Sequence, residues 1–366
     1  MAVNSATTAF DLADVALNGQ INESVMQRLF DISNVPLPLT DRIGVGSHMN
    51  PVHEWTMDRL SAPSSLAVAD GVENVSVVAV NGIRVQNHSQ ISATRVKVSQ
   101  RTMGLDDIGY TNKLADAITK RGNEVRRSVE YDMTSNVASD KDTGDGVTAG
   151  KSAGMEAWIQ NADIRGTVTA QRQTVGSGTS ITGGGWENQS AGEIPKYTYT
   201  AWTPGAMTLP KVETVAQEVW KLGGAPTLFL SRPTLVAGFS KAMFDGSAKI
   251  ATLQSDQGIP AMNGESGGLT AIGAVNVFLT DFGVSMQMVA SRIMPEGDSG
   301  SSSTTALILD PSGLEISYLQ GYQTSEIGKL GLTEAREISV DWTLVVQNFE
   351  QHGMIQGIAE ATAVTV

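Results

Sequence analysis

From residue 52 the chain alternates with period two. His53, Trp55 and Met57 fall on one face, and Val52, Glu54, Thr56 and Asp58 on the other. Residues 91–99 behave likewise, with Val96 and Val98 opposed to Arg95 and Lys97. Such alternation marks a half-buried strand, so two strands are predicted, paired as a long hairpin. The intervening stretch, about 61–90, is too long for a hairpin turn, and structureless loops beyond ~12–15 residues are uncommon in compact domains. Val75, Val77, Val78 and Val80 make it too apolar to stand in water. It reads as a projecting flap that buries its apolar side on another chain.

The period then changes to that of a helix. Leu114, Ile118, Val125, Val129 and Met133 form a stripe that predicts a helix over 106–135. Lys113, Asp116, Lys120, Arg127 and Glu130 lie largely off the stripe. Asp116–Lys120 and Arg126–Glu130 have the i,i+4 spacing that supports an exposed face. At ~1.5 Å per residue this makes a rod of roughly 40 Å. Gly122 marks a close packing contact or a bend within it.

Upstream, residues 1–50 read as an extended arm. Ile21, Val25, Met26, Leu29 and Phe30 form a short apolar-periodic piece, and Val35-Pro-Leu-Pro38 ends any helix. Residues 139–194, rich in Gly, Ser, Thr and Asp, read as loops carrying a short β insertion. An α/β stretch follows. Pro210 suits the first position of a helix faced by Val212, Val215, Val219 and Leu222, which Gly223-Gly224 terminates. A strand at 227–231, a helix at 233–244 and strands at 275–280 and 285–293 around Gly283 come next. Over 336–347, Ile338, Val340, Trp342, Leu344 and Val346 alternate with Glu337, Ser339, Asp341 and Thr343, a long strand with one buried face.

Composition narrows the function. The 366 residues include no cysteine, which rules out disulfides, thiolate nucleophiles and Cys-based metal sites. The 38 glycines against 12 prolines point to many tight turns. Residues 1–5 show no basic and apolar signal segment, and the longest apolar stretch, near 75–80, is far short of the ~20 residues of a membrane span. A protein folded in the cytoplasm without a membrane is expected. The net charge of −13 favours solubility and opposes binding to phosphate backbones.

Candidate catalytic motifs fail on their own chemistry. Gly297-Asp-Ser-Gly300 resembles the nucleophile segment of trypsin-like proteases, but none of the histidines, His48, His53, His88 and His352, lies in the accompanying context. Asp140, Asp142 and Gly144 hint at a calcium loop. Asp145 stands where that loop needs glycine, and Lys151 where it needs the final acid. His53-Glu54 lacks a second histidine, and there is no phosphate-binding glycine motif. No enzyme activity, cofactor or metal is expected.

The order of arm, hairpin flap, long helix, α/β unit and closing strands resembles the major capsid proteins of tailed double-stranded-DNA bacteriophages, the Hong Kong 97 type. Local residues carry the likeness: His53-Glu-Trp55, Asp58-Arg-Leu60, Gly82-Ile-Arg-Val-Gln-Asn87, Gln90-Ile91 and Val96-Lys-Val-Ser99 around the flap. Further on come Trp220-Lys-Leu-Gly-Gly224, Thr280-Asp-Phe-Gly283, Trp342-Thr-Leu and Gln347-Asn348. Residues 139–205 match least.

The resemblance implies an α+β subunit: arm 1–50, extended loop 51–103, peripheral domain 104–205 with a spine helix at 106–135 and a Gly/Thr-rich insertion, axial domain 206–303, and peripheral strands with the C-terminus at 304–366. It implies self-assembly into pentamers and hexamers of an icosahedral virion shell built in the bacterial cytoplasm. The partners it implies are a portal protein at one vertex, packaged DNA touched without sequence preference, and decoration proteins in some members. The residues after Met1 contain prolines and no long heptad pattern, so the scaffolding protein is expected to be separate. Lys97 is the one flap lysine and sits mid-strand, so no covalent cross-link is expected. Trp55, Arg59, Arg84, Arg95 and Lys97 are the candidate subunit-interface residues. An encapsulin-like compartment shell is the alternative of the same fold.

Overall fold

The computed structural model describes residues 36–58, 60, 63–71, 82–105, 112–160, short strands between 172 and 203, 205–243, 277–295, 303–329 and 331–359. The valines of 75–80, Arg59, the Gly297–Gly300 motif and the periodic piece at 21–30 lie outside them.

The elements run in this order: β1 Gly44–Ser47, β2 Val52–Met57, β3 Ile83–His88, β4 Gln90–Ser99, α1 Gln100–Met103, α2 Lys113–Thr134 and α3 Met155–Gln160. Next come β5 Arg172–Thr174, β6 Ser177–Gly178, β7 Gly185–Gln189, β8 Gly192–Lys196, β9 Trp202–Thr203, α4 Leu209–Lys221, β10 Leu228–Ser231 and α5 Pro233–Met243. The last are β11 Val277–Leu279, β12 Ser285–Ala290, β13 Ser303–Leu309, β14 Leu314–Ile327, β15 Thr333–Val346 and β16 Gly353–Ala359.

The strands form sheets of order β1-β14-β15-β4, β11-β12-β10-β13-β16-β5 and β2-β3-β8-β7, with β6 and β9 as a separate pair. β15 explains why the first sheet holds. Its Ile338, Val340, Trp342, Leu344 and Val346 are buried, and from Trp342 onward both faces are covered. The C-terminal half of the strand is therefore core, while its other half runs out with β14 and β4 into a solvated sheet.

α2 packs its stripe on β4 and β15. Val125, Val129 and Met133 are buried, and Leu114 and Ile118 pack at the margin. Asn112 caps the start by accepting the Ala115 N–H at 3.1 Å. The helix has 22 residues, ~33 Å at 1.5 Å each, and so is shorter than the stripe suggested. Residues 106–111 lie outside the described part.

α4 starts with Pro210 at its N-terminus and buries Val212, Val215 and Val219 on the six-stranded sheet. Gly223 takes φ 100 beyond its end, where a side chain would be strained.

Four expectations are corrected. β2 pairs with β3, whereas β4 pairs along ten residues with β15. Alternation predicts a strand and its buried face, but pairing is decided by which distant strand matches its length and apolar face. The boundary at 303/304 falls inside the six-stranded sheet, because β13 and β16 complete it beside β10. Residues 139–194 are more than loops and a short insertion: α3 is core, with Met155, Ala157, Trp158 and Ile159 all buried. Finally, Glu130 does not sit on a solvated helix face; it is fully buried.

Candidate functional site

The strand pair β2–β3 sits at a junction where four distant segments meet. On β2 the predicted face turns inward. The Trp55 indole N–H donates to the Val346 carbonyl at 2.9 Å, and its ring lies 5.3 Å from that of buried Trp158. His53 continues the stack at 5.8 Å from Trp55, and His48 lies 5.3 Å from His53. Burial lowers the pKa of both histidines. At His48 the neighbouring His53 adds to that effect, whereas Glu315 and Glu54 oppose it at His53.

On β3 three polar residues, Gln86, Asn87 and His88, are buried in succession. Asn87 uses its whole amide. Its Nδ2 donates to the Leu344 carbonyl at 2.8 Å and to Ser152 Oγ at 3.1 Å. Its Oδ1 accepts from Ser139 Oγ at 2.9 Å and from the Ala153 N–H at 3.0 Å. Thr343 Oγ1 donates to the His88 carbonyl at 3.1 Å. A buried network with every hub valence used fixes one arrangement, because any slip strands a polar group in low dielectric. The 139–153 segment, β3 and β15 are thus locked together.

Two Ser–His contacts lie here, at 2.9 Å for His88–Ser139 and 3.0 Å for His48–Ser317. Ser139 spends its proton on Asn87 and also accepts the His88 backbone N–H, so His88 cannot activate it as a nucleophile. All four residues are buried. Among the described residues no group of three or more His, Asp or Glu could hold a metal ion.

The second anchor lies where the chain enters β1. The Glu130 carboxylate, about one turn from the C-terminal end of α2 on its inner flank, accepts the Leu39 N–H and the Thr40 N–H, each at 2.8 Å, and the Thr40 hydroxyl. Burial raises its pKa, and those three donors pull it back. Arg126, the partner expected from spacing, instead lies with its guanidinium 5.4 Å from the Tyr322 ring centroid.

The expected interface residues separate. Trp55 is engaged inside its own chain. Arg84 pairs with Glu54 across β2–β3, and Arg95 pairs with Glu337 across β4–β15 at 3.0 Å; both arginines are largely exposed. Lys97 is exposed opposite Ala335. Arg59 lies outside the described residues. Missed by sequence reasoning were Glu130, Asn87 and α3. For α3 a signal existed: Met155, Trp158 and Ile159 stand at helical spacing inside a polar stretch.

The fold is that of virus-type shell subunits. It aligns with the capsid of a native GTA particle at TM-score 0.58 and 14% identity, covering 96% of this chain and 100% of that one. It aligns with a chain of Mycobacterium phage Bobi at TM-score 0.56 and 12% identity, covering 94% and 98%. The holo-SrpI encapsulin complex from Synechococcus elongatus aligns at TM-score 0.53 and 13% identity, covering 98% and 99%. The architecture is therefore α+β of the Hong Kong 97 type. The sequence matches no curated protein.

Residues 2–359 match the SU10 major capsid protein family, and the chain belongs to it. It is a capsid shell protein of the virion that assembles with copies of itself. The encapsulin likeness is one of fold, and the family match favours the phage capsid.

Proposed function

We propose that this chain encloses the double-stranded DNA genome of a tailed phage in an icosahedral shell of pentamers and hexamers. The observation that carries this reading is the family match across residues 2–359. Residues 1–50 act as an arm and 51–103 as a flap reaching onto adjacent copies. The long-helix unit with β14 and β15 forms the peripheral part, and the sheet of β10, which β13 and β16 complete, supplies with α4 and α5 the axial part around the symmetry axes.

The junction supports this division of labour. Asn87 and Trp55 tie the flap root into β15 and α3, and Glu130 ties the arm exit to α2, so both extensions leave from rigid points. Energy spent ordering these roots inside the subunit need not be spent again on assembly.

Assembly takes place in the host cytoplasm with a separate scaffolding protein, and a portal protein occupies one vertex. Decoration proteins are compatible partners. DNA is touched weakly, since each subunit carries a net charge of −13. The subunit performs no catalysis. Among the described residues no helix is long and apolar enough to cross a membrane.

Electron microscopy of the chain co-expressed with its neighbouring genes tests the reading. Closed shells of uniform size are expected. A monodisperse monomer at high concentration, with and without those genes, would overturn it.

A further inference from the structure

Residues 120–127 of α2 carry four cations, Lys120, Arg121, Arg126 and Arg127, against the single acid Glu124, in a chain whose net charge is −13. Helical periodicity puts Lys120, Glu124, Arg127 and Tyr131 on one line of the helix, opposite the buried Val125, Val129 and Met133. An open groove of about 520 Å³ runs between that line and the segment after β12. Arg127 and Tyr131 line one side of it, and Arg292 lines the other.

Both arginines are exposed, and among the described residues neither has an ion pair. Arg292 is presented by a fixed backbone. It stands between buried Ser291 and Ile293, and Ser291 Oγ accepts the N–H groups of Ile293 and Met294, each at 3.2 Å. The two acids of the groove are already engaged. Glu124 pairs with Arg121, and the Asp132 carboxylate accepts Gln90 Nε2 at 2.6 Å. What remains is two unpaired guanidiniums and the Tyr131 hydroxyl, a donor set suited to an anion with several oxygens.

We propose that this groove is where the subunit takes phosphates of the packaged DNA backbone, without reading its bases. The inference rests on the reading that the shell encloses DNA. Duplex DNA bears one charge per ~1.7 Å of its axis, so inside a filled shell it is the densest source of anions. The acidity of the whole subunit does not prevent the contact. Exposed charges more than about 8–10 Å apart are screened at physiological salt, and the local balance decides. Carboxylates of a partner protein are the competing occupant. They would need one fitted partner, whereas an open groove with two spread cations suits a backbone met in any register.

Binding of a short DNA duplex to purified full-length subunits, followed from low to physiological salt, tests this. Arg127→Gln combined with Arg292→Gln should weaken binding and reduce the slope of log K against log salt by about 2, roughly one per lost phosphate contact. Lys221→Gln combined with Lys329→Gln removes the same charge from exposed ion pairs elsewhere and should leave the slope unchanged. Urea unfolding checks that each variant is folded. Should the arginine double not fold, the two single variants decide, each expected to lose about 1 from the slope. Equal slopes in the arginine and lysine variants would overturn the proposal, as would no measurable binding by the unmodified subunit at low salt. Poly-glutamate that binds as tightly as the duplex, and is lost equally in the arginine double, would assign the groove to protein carboxylates and overturn the DNA assignment. All of these leave the capsid reading standing. Failure of the unmodified chain to form closed shells would instead overturn the reading on which the proposal rests.

Discussion

Glu130 and Leu39 are joined by a buried 2.8 Å hydrogen bond across 91 residues of sequence, the carboxylate accepting the backbone N–H. A carboxylate removed from water costs several kcal/mol unless donors surround it. Here the Leu39 N–H, the Thr40 N–H and the Thr40 hydroxyl do so. The turn before β1 is thereby held against the C-terminal part of α2. Glu130→Gln presents an amide N–H₂ where donors converge, and Glu130→Ala leaves those donors unpaired. Either change should lower subunit stability by about 2–4 kcal/mol, read from the urea midpoint. A loss below about 0.5 kcal/mol would mean that water satisfies the turn equally well.

Trp55 should act within the subunit before it acts between subunits. Trp55→Ala removes its packing on Trp158 and strands the Val346 carbonyl, at a cost of about 3–5 kcal/mol. Thermal unfolding of isolated subunits measures this. Unchanged unfolding with reduced shell yield would return Trp55 to the interface role read from the sequence.

Acidification should loosen the subunit through its buried histidines. Burial pushes His352 down to about 4, and it also lowers His48 and His53. Between the unfolded value of 6.5 and about 4 the unfolded chain binds a proton at His352 that the folded chain refuses. Stability is therefore complete above the unfolded value and falls with pH through that window. At His352 the loss amounts to roughly 3 kcal/mol. Glu130, raised by burial, works in the opposite sense, since its protonation is easier in the folded state. Denaturant midpoints at pH 7 and pH 4.5 should differ less in His352→Gln than in the unmodified chain. An equal drop in both would show that another group governs.

The Arg95–Glu337 pair is exposed and should matter little. A double-mutant cycle of Arg95→Ala and Glu337→Ala is expected to give a coupling within about 0.2–1 kcal/mol, shrinking with salt. A coupling above about 2 kcal/mol that persists at high salt would contradict this.

No covalent bond is expected to complete the shell. Lys97 lies mid-strand on β4, whose ten residues pair with β15. Mature particles boiled in detergent should give one band near 38.6 kDa. A ladder from unmodified protein would show a native cross-link.

Much of this was legible from local pattern. The alternation from Ile338 to Val346 is β15, the stripe from Leu114 to Met133 is α2, and Pro210 and Gly223 bracket α4. Period, cap and breaker act within a few residues, and so they are written in neighbouring positions. The local patterns also carried the family likeness. Tertiary structure alone decided that β2 pairs with β3 and β4 with β15, that β13 and β16 complete the sheet of β10, and that Glu130 turns inward. Each of these joins residues far apart in the chain. A strand's alternation states which face is buried but not against what. A charge at i,i+4 spacing looks solvated until a turn some 91 residues upstream brings it three donors. Such choices follow from the global fit of surfaces, in which one buried polar group left unpaired outweighs a helix-surface ion pair worth a few tenths of a kcal/mol.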